Sequence, residues 1–163
     1  MNLVYFNLIL LFISILAIEV FKKKKNFLIV FDAPDNKRKI HKKPIPLIGG
    51  PIIFINQIIL LGFITIVLNF KIKLAIIIFL LFLIFFLIGY FDDKKSISPL
   101  KKTILIFSAL FVLLPLEQSL IIKNLEFKDI DTNILLNQGS IFFTIFCIPF
   151  FFNLLNFSDG ING

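Results

Sequence analysis

Two adjacent carboxylates, Asp92 and Asp93, close a long apolar run that ends Gly89-Tyr90-Phe91-Asp92-Asp93. Acids at that end of a helix oppose the macrodipole, and they require a compensating cation. Lys94, Lys95 or a divalent metal would serve. Paired hard oxygens suit Mg²⁺, which takes one or two carboxylates together with phosphate oxygens. Neighbouring positions on a helix point about 100° apart, so the two acids would have separate tasks. A second group is Asn153, Asn156 and Asp159. Spacing three leaves each residue about 60° short of a full turn, so all three share one helix face. A third lies in Asp32-Ala33-Pro34-Asp35-Asn36-Lys37-Arg38-Lys39-Ile40-His41, continuing to Pro44, Pro46, Gly49 and Gly50. Arg38, Lys39 and His41 offer donors suited to phosphate.

Each group also admits a plainer role. The basic stretch fits a cytoplasmic loop touching anionic lipid. The acids fit a solvated helix end, and the amides fit hydrogen bonding between membrane helices. The prolines hold the first loop extended. Gly49-Gly50 is expected to allow close backbone approach at the start of a span. Asp129-Ile130-Asp131 reads as a solvated loop, and His41 is the only histidine, which excludes a His-based metal site within the chain.

The elements that position these groups are apolar. Hydrophobic residues are 58% of the chain, and mean hydropathy is +0.99. The bilayer is the natural solvent for such a composition. Phe is abundant (23) and Trp absent. The lone Cys147 reads as a small buried side chain. Net charge is +7, but the cations flank apolar spans without aromatic interleaving, which argues against nucleic acid.

A membrane helix needs about 20 apolar residues. Five spans are expected, over 2–21, 47–70, 74–91, 103–122 and 141–157, with a tight turn at 71–73. Segments 22–46 and 92–102 carry nine and four Lys and Arg, whereas 71–73 and 123–140 carry two each. The positive-inside rule then places 22–46 and 92–102 in the cytoplasm and the N-terminus, 71–73 and 123–140 outside. Parity returns the end of the fifth span to the cytoplasm. All three polar groups would meet on one surface beside lipid. Leu125, Phe127 and Ile130 alternate weakly and suggest a hairpin in 123–140.

In this order the three groups resemble the polyprenyl-phosphate N-acetylhexosamine-1-phosphate transferases, glycosyltransferase family 4. The first block, Asp32-x-Pro34-x-x-x-Arg38-Lys39-x-His41-x-x-Pro44-x-Pro46-x-x-Gly49-Gly50, is most similar to the GlcNAc-1-phosphate branch. Gly89-x-x-Asp92-Asp93 and Asn153-x-x-Asn156-x-x-Asp159-Gly160-x-x-Gly163 follow. Many members carry Asp where this chain has Asn162.

The resemblance implies an all-α polytopic membrane fold, this chain being the N-terminal half of a ten- or eleven-helix bundle and inactive alone. It implies transfer of a sugar-1-phosphate from a UDP-N-acetylhexosamine to undecaprenyl phosphate with release of UMP, at the cytoplasmic face of a bacterial inner membrane. Such a reaction begins cell-envelope polysaccharides, including lipopolysaccharide and cell-wall polymers. Asp92, Asp93 and Asp159 would be catalytic and hold Mg²⁺, with Mn²⁺ as the substitute. Asn153, Asn156, Arg38, Lys39 and His41 would bind substrate. Membrane lipids and a homodimer complete the expected partners. The alternative is a non-catalytic homologue or half-subunit. Other lipid enzymes fit less well: after Asp92-Asp93 the third acid of a prenyltransferase is missing, and Asp159-Gly160 lacks the x-x-Ala-Arg of CDP-alcohol phosphotransferases.

Overall fold

The protein is an all-α membrane protein. The computed structural model describes the backbone of residues 3–23, 31–32, 45–127 and 132–161, and the side chains of residues 4–19, 21, 31, 45–127 and 132–151. The chain divides into two compact units, Met1–Ile97 and Ser98–Gly163.

The first unit holds α1 (Leu3–Lys23), β1 (Phe31–Asp32), β2 (Ile45–Pro46), α2 (Gly49–Val67) and α3 (Ile72–Lys94). At 1.5 Å per residue, α2 is about 29 Å long and α3 about 35 Å, enough to cross the hydrocarbon core. With Pro99–Leu116 of the second unit they form three helical stretches long and apolar enough to span a bilayer. Val4–Glu19 and Asn137–Phe151 are shorter apolar helical stretches among the described residues. Ile53 is 62% exposed and Ile66 80%. Faces this apolar and this open are stable against lipid tails, not water.

Lipid does not drive helices together, so packing and internal polar contacts must hold them. Asn56 Nδ2 on α2 donates to Ser14 Oγ on α1 at 2.6 Å, and Ser14 Oγ donates to the Leu10 carbonyl at 2.7 Å. Phe6 stacks on Phe63 at 3.9 Å between centroids. Phe54 on α2 stacks on Phe86 on α3 at 4.4 Å. Between these helices the chain turns at Leu68–Lys71, with Asn69 at φ 52°. The turn therefore precedes the expected 71–73, because Asn tolerates the left-handed region and α3 begins at Ile72.

The second unit holds α4 (Pro99–Leu113), three-ten turns at Leu114–Leu116 and Gln118–Leu120, β3 (Asn124–Phe127), β4 (Thr132–Leu135), a three-ten turn at Asn137–Gly139, and α5 (Ser140–Ile161). Leu110, Leu114, Ile145 and Thr144 are its most buried side chains. Phe107 meets Phe146 edge to face at 5.4 Å. The fourth apolar stretch, expected over 103–122, starts earlier and ends its α-helix at Leu113. Pro99 explains the start: it suits the first helical position, where no donor is needed. Pro115 explains the stop, since it can neither donate to the Phe111 carbonyl nor fit the continuing helix.

The segment after α4 contains the expected hairpin: β3 pairs antiparallel with β4, Leu125 opposite Ile134 and Phe127 opposite Thr132. One expectation fails. A Cβ added at Gly49 or Gly50 would meet nothing within 4 Å, so no close approach among the described residues requires glycine there. The pair opens α2 at its N-terminus instead.

Candidate active site

Asp92 and Asp93 occupy the last turn of α3, just before Lys94. The segment 92–102, expected as one loop, is mostly helical: α3 runs to Lys94 and α4 begins at Pro99. Only Lys95–Ser98 lies between them. The bond from the Lys95 amide to the Phe91 carbonyl, 2.8 Å, extends the helical pattern past the acids.

The two carboxylates differ in setting. Asp92 is half-buried and its Oδ1 accepts the Ile97 amide N–H at 2.9 Å. This bond folds the chain back over the helix end and fixes the carboxylate. Asp93 is exposed. The 100° step between neighbours accounts for the split. Lys94 follows in the same turn, and its Nζ lies 5.9 Å from the Tyr90 ring centroid. Tyr90 in turn is 6.0 Å from Phe86, which stacks on Phe54. Phe86, Tyr90 and Lys94 share one side of α3 at spacing four. A cation sits in the turn that carries two acids, opposing their charge and the helix dipole.

Asn153, Asn156 and Asp159 all fall within the helical backbone of α5. Their positions span about 120° of its circumference. Pro149 stands inside the helix, one turn before Asn153, and is buried. It has no N–H for the Ile145 carbonyl, so one rung of the ladder is missing there. The side chains of Asn153, Asn156 and Asp159 lie outside the described residues, as do Arg38, Lys39 and His41 entirely. The first loop is known at its neck, where Phe31 pairs with Pro46 and Asp32 with Ile45.

Sequence reasoning assigns no role to Thr144. In the structure it is 2% exposed, donates to the Ser140 carbonyl at 2.8 Å and accepts the Ile122 amide at 2.9 Å. It joins the start of α5 to the segment that follows α4. A threonine in an apolar run gives no sign of such a partner 22 residues away. Glu117 caps the three-ten turn at Gln118–Leu120 by accepting from the Ser119 amide and hydroxyl.

An open cleft of about 450 Å³ lies among Pro115, Gln118, Lys123, Leu135, Asn137 and Ser140. None of the residues expected to do chemistry lines it. It is a gap beside the hairpin, and the acidic turn remains the better candidate because its residues carry the reactive groups.

No curated protein and no solved structure matches the chain. The model of the family described as glycosyl transferase family 4 matches residues 74–163. That stretch is more than half the chain and includes both Gly89-x-x-Asp92-Asp93 and the Asn153–Gly163 block, while the Asp32–Gly50 block lies before it. A membrane chain with paired acids ending one apolar helix and an Asn-Asn-Asp face on another belongs to glycosyl transferase family 4.

Proposed function

We propose that the chain supplies part of the active site of a transferase that moves an N-acetylhexosamine-1-phosphate from its UDP donor to undecaprenyl phosphate. A phosphate oxygen of the lipid forms a bond to the β-phosphorus of the donor. The bond from that phosphorus to the bridging oxygen breaks, and UMP leaves with the electron pair. Family membership makes the protein a transferase. The observation that carries the finer reading is the Asp92-Asp93 pair at the end of an apolar helix, one acid half-buried and the other exposed.

Both reactants are anions, so the site must neutralise charge and align the attacking and leaving oxygens. The donor chemistry of Asp92 and Asp93 fits Mg²⁺, with Mn²⁺ as the substitute. Among the described residues no third His, Cys, Asp or Glu joins them. Asp159, phosphate oxygens and water would complete the shell. When bound, the metal supplies positive charge against the diphosphate.

Asp92 has one oxygen engaged by the Ile97 amide and acts from a fixed position. Asp93 faces outward and orients the acceptor phosphate, taking its proton when it arrives protonated. Asn153 and Asn156 donate amide N–H groups to the donor. Arg38, Lys39 and His41 draw the anions to the surface. The active face is cytoplasmic in a bacterial inner membrane, with the N-terminus outside, as the 13:4 division of cations favours.

The test uses the complete gene product in lipid, with undecaprenyl phosphate, Mg²⁺ and a panel of UDP-sugars, and measures UMP release. Asp93→Asn and Asp159→Asn should each remove nearly all turnover. Near-full activity in either variant refutes the assignment. The preferred donor identifies the sugar.

A further inference from the structure

We propose that the β3–β4 hairpin lies flat in the membrane interface, with the face bearing Leu125, Phe127 and Ile134 against lipid and the opposite face in water. The inference does not depend on the reaction proposed above.

The pairing register sets the two faces. Residues directly opposite in an antiparallel pair project to the same side. Leu125 with Ile134, and Phe127 with Thr132, therefore form one face. Asn124 with Leu135, and Glu126 with Asn133, form the other. The hydrogen bond from Asn124 Nδ2 to Glu126 Oε1, 2.9 Å, lies on that second face. One face is apolar but for a threonine; the other is polar but for Leu135 at its end.

Among the described residues this face is largely open, with Leu125 half-buried. Phe127 is 46% exposed and Ile134 51%. A lone two-stranded hairpin is at best marginal in water and needs something to pack on. Its open edges exclude the hydrocarbon core, where unpaired backbone groups find no water. The interface answers both needs: acyl chains for one face, and water and headgroups for the edges and the other face.

Connection to α4 and α5 commits the occupant to lipid. The Ile122 amide is held by Thr144, one turn inside α5, and the Leu136 amide bonds the Lys123 carbonyl across the hairpin base. The strands have four residues each, so their far ends, Phe127 and Thr132, lie within about 15 Å of that anchored base. Exposed apolar residues flank the hairpin in Leu116, Ile122 and, in the first turn of α5, Phe142, interspersed with exposed polar Gln118, Lys123 and Asn137. The anchored base holds the hairpin at the ends of two apolar helices, where the interface lies.

The chain contains no Trp, so one introduced indole reports from one place. The full chain is reconstituted in phosphatidylcholine vesicles with Phe127→Trp, Ile134→Trp, Glu126→Trp or Asn133→Trp. Indole at 127 or 134 should emit at shorter wavelength and lose most of its emission to lipids brominated near the head of the acyl chain, and less to lipids brominated near its end. Indole at 126 or 133 should be quenched by aqueous iodide instead. Equal iodide quenching at all four positions would overturn the proposal. So would a blue-shifted indole at 127 and 134 that brominated lipid leaves untouched, which would mean a protein surface covers this face. Two positions per face guard against a single variant that fails to fold.

Discussion

Helix α4 is entered and left in contrasting ways. Before it, the chain passes from α3 in the four residues Lys95–Ser98, and a carboxylate holds the turn through the Ile97 amide. After it, the chain needs three three-ten turns and a hairpin to reach α5; Glu117 caps one of those turns, and the hydroxyls of Thr144 and Ser140 tie the connection to α5. The first connection keeps charged groups at a helix end, where they are costly without counter-charge. The second has an uncharged anchor in Thr144 and no residue of the acid or amide motifs. The proposed chemistry falls in the connection that keeps adjacent acids at a helix end, whereas the longer one is fixed to α5 by a neutral hydroxyl.

Substitutions can break or sharpen that contrast. The largest effect should come from Asp93→Asn in the complete gene product. Removing one well-placed electrostatic group commonly costs about 10²–10³-fold in turnover, and the helical content should be unchanged. Thr144→Val should come next and act on stability alone. It leaves the Ile122 amide without its acceptor, costing about 1–3 kcal/mol, and Thr144→Ser should restore most of it in a thermal denaturation in detergent. At Asp92 the two roles separate: Asp92→Ala should lose about 1 kcal/mol of stability with the amide bond, while Asp92→Asn keeps an acceptor and should lose activity but little stability. The smallest change is expected from Asn56→Leu, which deletes one interhelical bond worth about 0.6 kcal/mol in a membrane. If Asp92→Ala were no less stable than Asp92→Asn, the carboxylate would not be holding the turn.

Much of the helical plan was legible because membrane spans are written in runs of apolar residues, and 58% of this chain is of that kind. The acids were legible for the opposite reason: Asp92 and Asp93 break such a run at a costly place. What escaped were features decided by a partner. Asn56 and Ser14 are ordinary polar residues until α1 and α2 meet. The division of Asp92 from Asp93 depends on a backbone amide beyond the helix end, which no spacing rule announces. The close approach expected at Gly49-Gly50 failed because glycine at a helix start needs no crowded neighbour.

The short ladder at Phe31–Asp32 and Ile45–Pro46 bears on how such a protein could change over time. It ties the ends of stretch 33–44 together close to the start of α2. The entropy of closing a connection grows only with the logarithm of its length, about 0.6 kcal/mol for each doubling. Insertions or deletions inside that stretch would therefore tax folding lightly, and the clasp would keep them from pulling on the helix. A lineage could vary the length of that connection while leaving the span behind it undisturbed.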